Sequence, residues 1–181
     1  MKDGIRKVML KKRMSLEKDM YDRYSYLIRT NILKYIENRK FKSIAMYYPF
    51  RKEVDLLNLI DLLKDKDILF PKIKGKDMYF VKISSFDEFE KGKYGIMEPV
   101  GEIYNKIIDI FLIPGIAFDE RLFRLGYGGG YYDRYFSKYK KGLLIGTAFD
   151  FQILKDVPTY NHDIKMDVII TEKRIIKGDN L

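Results

Sequence analysis

Between Arg124 and Tyr135 the chain reads Arg-Leu-Gly-Tyr-Gly-Gly-Gly-Tyr-Tyr-Asp-Arg-Tyr, with four glycines in the five positions from Gly126 to Gly130. Glycine brings no side chain to packing and weakens regular structure, so such a cluster serves the backbone. It permits φ > 0 and lets the main chain approach a ligand closely. The pattern from Tyr131 to Tyr139 predicts a helix directly after the glycines. Free N–H groups and the helix's positive end, worth about half an elementary charge, then converge on one point. Phosphate is the group that suits such a point. Arg124 and Arg134 add guanidinium groups matched to phosphate oxygens, and Asp133 adds a carboxylate able to carry magnesium. A glycine loop of no function is the plainer alternative; the charges that bracket this one argue against it.

Two familiar phosphate motifs are excluded. No Lys-Ser or Lys-Thr follows the glycines, so this is not a Walker A loop. The dinucleotide fingerprint needs its glycines directly after a strand, whereas the apolar run Ile107–Ile113 ends at Pro114, well before Gly126. The chain has no cysteine and a single histidine, His162. Disulfides, thiolate sites and His-rich zinc or iron centres are therefore ruled out, and a metal must be held by oxygen, which points to magnesium.

These residues must be positioned by a fold, and 181 residues with 46% hydrophobic content suffice for one domain with a sizeable core. Helices are predicted from Lys2 to Arg13 and from Ser15 to Arg39, the second with Ser15 as N-cap and Met20, Tyr24, Leu27, Ile28, Ile32, Tyr35 and Ile36 at helical spacing. Leu56–Leu63 reads as a further helix. Ser43–Tyr48, Ile68–Phe70 (stopped by Pro71), Asp77–Ile83, Ile107–Ile113, Leu143–Ala148 and Val168–Thr171 read as strands, several buried on both faces. Strands alternating with helices predict a single-domain α/β fold: a mostly parallel or mixed sheet with helices on both faces, a Rossmann-like three-layer arrangement. Ligands in such folds sit beyond the carboxyl ends of the strands.

No apolar stretch approaches the roughly 20 residues of a membrane span, and the basic N-terminus lacks the apolar core of a secretory signal. A cytoplasmic monomer without nucleic-acid or membrane partners is the expectation. Net charge is +9, and residues 1–40 hold twelve Lys and Arg against five Asp and Glu. Such a region attracts polyanions, nucleotides among them, or is simply a solvated helix face.

The glycine string resembles the R-L-G-x-G-x-G-Y-Y-D-R signature of the 5-formyltetrahydrofolate cyclo-ligase family, in which it follows an I-P-G-x-A-F-D string, here Ile113 to Asp119. Lys2-Asp3-Gly4-Ile5-Arg6 resembles that family's K-x-x-L-R, with Ile in place of Leu. Glu53-Val54-Asp55 resembles its E-[VL]-D, and His162 to Asp167 its H-D-x-x-[MV]-D. Departures are Leu56 where Thr often stands and Gly129 where some members carry Lys.

The resemblance implies an ATP- and magnesium-dependent ring closure of 5-formyltetrahydrofolate to 5,10-methenyltetrahydrofolate. It places Arg124, Tyr132 and Asp133 at the reacting atoms. ATP would be held by Lys2, Arg6, Arg124, Leu125, Gly126, Tyr127, Gly128, Gly129, Gly130, Tyr131 and Tyr132. Lys2 and Arg6, four apart, share a helix face, although a frayed basic terminus would look the same. Asp133 and Asp163 would carry magnesium; surface ion pairs are the alternative. The folate would be met by Phe50, Glu53, Asp55, Tyr127 and Tyr131, with an acidic helix start as the other reading of Glu53 and Asp55. His162 is assigned to orienting its loop and Asp167 to capping the last strand. Two other functions remain open. An ATP-dependent kinase or ligase could act on a different small molecule with the same phosphate site. An RNA-binding protein could use the basic N-terminus and the tyrosines, but no RNA-binding motif is present.

Overall fold

A computed structural model describes residues 1–139 and 142–178. The helices are α1 (Lys2–Met14), α2 (Lys18–Ile36), α3 (Leu59–Leu62) and α4 (Tyr131–Lys138). The strands are β1 (Ser43–Ala45), β2 (Asp67–Lys74), β3 (Asp77–Ile83), β4 (Phe89–Lys91), β5 (Met97–Pro99), β6 (Ile110–Pro114), β7 (Ala117–Asp119), β8 (Arg124–Leu125), β9 (Leu143–Thr147), β10 (Ile153–Leu154), β11 (Val168–Ile170) and β12 (Ile175–Lys177). The main sheet runs β12-β11-β9-β6-β1-β2-β3. Its five central strands are parallel, and β12 and β3 close the edges antiparallel.

Successive strand residues face opposite sides, and the two sides are covered by different helices. Ile44, Met46, Ile68, Phe70, Ile110, Leu112, Ile145, Val168 and Ile170 pack with Ile28, Ile32 and Ile36 of α2 and with Leu59 and Ile60 of α3. Ala45, Leu69, Phe80, Phe111, Ile113, Leu144 and Ile169 meet Phe136, Tyr132 and Tyr135 of α4. The mostly parallel α/β sheet with helices on both faces is thus as expected. Among the described residues, no helix is long and apolar enough to cross a membrane.

Two small sheets were not foreseen. In the order β10-β7-β8, three short strands form a platform on which Ile5 and Met9 of α1 pack, and β4 pairs with β5 as a hairpin. Ser15 does not start α2. Its hydroxyl donates to the Lys12 carbonyl, finishing α1, and Glu17 precedes the first turn of α2. β2 passes through Pro71 rather than stopping there. β1 has ended by that point, leaving that flank of β2 open, where a proline is tolerated.

Candidate active site

β1 and β6 end at one rim of the sheet, and the segments that leave them wall a cleft of about 1370 Å³ with the glycine loop. That volume exceeds the ~300–1,000 Å³ usual for one small-molecule site, leaving room for two ligands side by side. Lys2, Arg6, Phe50, Glu53, Arg124, Asp133, Asp163 and the whole run from Leu125 to Tyr132 border it. Of the residues assigned to the reacting atoms, ATP, folate or metal, only Asp55 lies elsewhere.

The glycine loop is set by the Ile113–Asp119 string. Asp119 is wholly buried and joins the β7–β8 turn to the segment at Val157. Its carboxylate accepts from the Arg121 guanidinium at 2.7 Å, the Val157 amide at 2.9 Å and the Phe123 amide at 3.0 Å. This knot fixes the β7–β8 turn, and β8 delivers Arg124 and then the glycines. Gly115 permits the crossing, because a Cβ there would lie 2.6 Å from the Phe118 ring. Gly128 has φ +103° and Gly130, just before α4, has φ +64°. Among the described residues, the amides of Tyr127 to Gly130 donate to no protein acceptor. Tyr127, Gly128 and Gly129 are exposed and Gly130 is half-buried, all on the cleft wall, so these amides are open to a ligand. Leu125 borders the cleft, while its side chain is buried with Ala117 and Val157 against α1.

Cations surround that row of amides. Arg6 reaches over from α1, its Nε donating to the Gly126 carbonyl at 2.8 Å. Arg124 lies over the Tyr132 ring at 5.1 Å and donates to the Pro114 carbonyl at 3.3 Å and the Asp133 carboxylate at 3.4 Å. Its Nε is buried with no hydrogen-bond partner among the described residues. Lys2 is 3.1 Å from Asp163, whose carboxylate also takes the Tyr160 amide at 2.8 Å. Arg134, by contrast, points to the β2–β3 turn, donating twice to the Lys76 carbonyl. These bonds anchor α4, while the other terminal nitrogen of Arg134 lies beside Gly130, 2.8 Å from where a Cβ there would stand, at the edge of the amide row.

Asp133 and Asp163 come to one corner, since Asp133 accepts from the amide of Ile164, the neighbour of Asp163, at 3.3 Å. Among the described residues no three His, Cys, Asp or Glu side chains cluster as a metal cage. One or two carboxylates plus phosphate and water oxygens are what magnesium ordinarily takes, and this corner fits that donor set.

The opposite end is aromatic and holds Glu53. Phe50 to Glu53 form a turn closed by the Glu53 amide donating to the Phe50 carbonyl at 3.0 Å, with Arg51 at φ 47° and Lys52 at φ 55°. The turn folds the Glu53 carboxylate back to accept from the Phe50 amide at 3.0 Å. Burial pushes this carboxyl up to about 7, against the opposing pull of Arg13, the Phe50 amide, Tyr127 and Arg124. Burial also lifts the Tyr127 phenol to about 12 and the Tyr132 phenol higher still. Both hydroxyls therefore stay protonated at neutral pH, able to donate hydrogen bonds but not to act as bases. Phe50 and Tyr127 face each other with ring centres 5.9 Å apart, and Tyr131, also on the cleft wall, lies under the Arg134 guanidinium.

Asp55 is corrected. Its carboxylate accepts from the Leu57 amide at 3.0 Å, its amide donates to Ser25, and its carbonyl takes Arg29. It caps the turn leading to α3, as the acidic helix-start reading allowed. Asp167 accepts from the Leu144 amide and so ties β11 to β9. His162 stacks on Tyr160 beside Asp163. Sequence reasoning missed Arg13, discussed below, and Glu98, a buried acid on the cleft wall that accepts from the Ile73 amide at 3.2 Å. Lys2, Arg6, Met9 and Arg13 form one helical stripe, a spacing that marks Arg13 as inward-facing. Nothing local marks Glu98.

The model of the 5-formyltetrahydrofolate cyclo-ligase family matches residues 1–172. A probable 5-formyltetrahydrofolate cyclo-ligase of Schizosaccharomyces pombe is 30% identical, covering 98% of each chain. The 5-formyltetrahydrofolate cyclo-ligase of Mycoplasma genitalium is 34% identical over 93% of this chain and 96% of its own. The solved structure of 5,10-methenyltetrahydrofolate synthetase from Aquifex aeolicus superposes with a TM-score of 0.87 at 38% identity, covering 99% of this chain and 95% of that one. With sequence and fold in agreement over that length, the chain belongs to the 5-formyltetrahydrofolate cyclo-ligase family.

Proposed function

We propose that the protein closes 5-formyltetrahydrofolate to 5,10-methenyltetrahydrofolate at the expense of ATP, releasing ADP and phosphate. The observation that carries this is the union, in one cleft, of unmatched glycine-loop amides at one end and a buried carboxylate between aromatic rings at the other. The first end suits a triphosphate. The second suits the flat, donor-rich edge of a pterin, with Glu53 accepting its N–H groups and Phe50, Tyr127 and Tyr131 covering its faces.

The formyl oxygen is a poor leaving group. Transfer of the γ-phosphoryl group to it breaks the bond to ADP and makes a phosphate ester. The second folate nitrogen then attacks the formyl carbon, the C–O bond breaks with its electrons leaving on phosphate, and that nitrogen's proton is lost. Phosphoryl transfer rests on positioning and charge stabilisation. Arg6 and the amides of the loop hold the phosphates, Lys2 backs them from α1, and Arg124, whose side chain borders the cleft, faces the charge that develops on transfer. Tyr132, locked as a phenol under Arg124, orients that guanidinium and offers a hydrogen bond. Magnesium, carried by Asp133 and Asp163, supplies neutralisation of phosphate charge when bound.

Purified protein given magnesium-ATP and 5-formyltetrahydrofolate should accumulate methenyltetrahydrofolate absorbance together with one ADP per product. ATP binding without methenyl product would leave a phosphate-transferring enzyme for another small molecule, and the folate reading would fall.

A further inference from the structure

Arg13 is 1% exposed, a rare location for a guanidinium. Burying it is costly unless its donors are satisfied, and here three segments far apart in sequence satisfy them. Nε donates to the Arg51 carbonyl at 2.9 Å, one terminal nitrogen to the Gly115 carbonyl at 3.1 Å, and the other to the Tyr127 hydroxyl. Each acceptor belongs to a different wall. Arg51 lies in the turn that aims Glu53, Gly115 follows β6, and Tyr127 is in the glycine loop. Arg13 itself does not border the cleft.

The turn it holds is strained. Arg51 and Lys52 occupy the left-handed region that non-glycine residues seldom enter, and such strain persists only where the surroundings over-determine it. The end of α1 supplies that constraint. Besides Arg13, Lys52 Nζ donates to the Met14 and Leu16 carbonyls at 2.9 and 2.6 Å, and the Tyr21 hydroxyl of α2 donates to the Glu53 carbonyl at 2.8 Å. A planar fork with donors on three sides suits three fixed acceptors, which a single ammonium does not.

We propose that Arg13 is a positioning residue, a buried strut that locks the Phe50–Glu53 turn to the glycine loop and so fixes the spacing between the folate pocket and the phosphate cradle. This rests on the folate reading above. Arg13 has a second, electrostatic consequence: its charge opposes the burial of the Glu53 carboxylate.

The test compares Arg13→Lys, which keeps the charge and loses the fork, with Arg13→Gln, which loses both. KM for 5-formyltetrahydrofolate, kcat, and the pH at which folate affinity levels off are measured beside a thermal melt. Arg13→Lys should raise the folate KM by about tenfold, a loss of ~1.4 kcal/mol, with the levelling pH unchanged. Arg13→Gln should raise KM as far and also move that pH upward by about one pH unit. Variants that melt earlier but keep wild-type KM and levelling pH would reduce Arg13 to core structure and overturn the proposal. If Arg13→Gln does not fold, Arg13→Lys decides alone, and a wild-type folate KM overturns it. Wild-type protein that makes no methenyl product sinks the folate reading instead. Arg13 is then judged by magnesium-ATP affinity, which both variants should weaken and which, if unchanged, ends the proposal.

Discussion

Glu53 and Asp55 carry the same charge two positions apart, yet their surroundings give them different chemistry. Asp55 spends its carboxylate on the Leu57 amide at the entrance to α3. Glu53 is folded back into the interior, where burial outweighs the pull of Arg13, the Phe50 amide, Tyr127 and Arg124 and raises its pKa from 4.5 to about 7. The sign of the consequence follows. Between those two values the folded, unliganded protein holds a proton that the unfolded chain has lost, so the stabilisation present below pH ~4.5 fades as pH rises towards 7. A ligand that donates hydrogen bonds to the carboxylate needs it ionised, so affinity should move the other way. Binding of 5-formyltetrahydrofolate should strengthen by up to about tenfold per pH unit below 7 and level off above it, with a proton released on binding. Calorimetry in buffers of different ionisation enthalpy measures that proton directly. In Glu53→Gln both the pH slope and the proton should vanish; a slope that survives there would assign the titration to another group. Both acids were visible in the sequence as candidates, but which one binds was not, because the distinction is made by two left-handed residues, Arg51 and Lys52, whose types do not announce that conformation.

At the scale of elements, the sheet's central strands were legible because each is an apolar run buried on both faces. α2 was legible because its buried residues recur at helical spacing. β7, β8 and β10 were not. They are two or three residues long and exist through pairing with one another and through the Asp119 knot, none of which leaves a local pattern. Yet these strands aim the glycine loop, so the loop's chemistry was readable and its scaffold was not. Gly128 tests the loop. With φ +103° and a prospective Cβ 3.5 Å from the Arg6 guanidinium, Gly128→Val puts a β-branched residue into a backbone state that costs about 1–3 kcal/mol. It also lays methyl groups across the amides. Magnesium-ATP affinity should fall at least about tenfold, while binding of a folate analogue at the Glu53 end is retained. Equal losses of both ligands would mean general disruption, and retained ATP affinity would remove the amides from the phosphate site.

The whole molecule is basic, and the excess sits mainly in its first forty residues. The fold brings that region to the site. α1 lies across the β10-β7-β8 platform with Lys2 and Arg6 at the cleft and Arg13 beneath it, while Lys7, Lys11 and Lys12 remain on its exposed face. Both proposed substrates are polyanions that must enter past this helix. Charges fixed near a cleft raise encounter rates, and their reach shrinks from ~10 Å at 0.1 M salt to ~3 Å at 1 M. Once the phosphates are seated in direct contact with the loop amides and the cations beside them, screening has little hold on the chemical step. Raising potassium chloride from about 0.05 to 0.5 M should therefore lower kcat/KM several-fold while leaving kcat within about twofold. Neutralising the outer face with Lys7→Gln, Lys11→Gln and Lys12→Gln together should flatten that dependence without abolishing turnover, since none of the three borders the cleft. A kcat/KM indifferent to salt in the wild type would show that the basic helix steers nothing, and that its charge serves only solvation and the few contacts made by Lys2, Arg6 and Arg13.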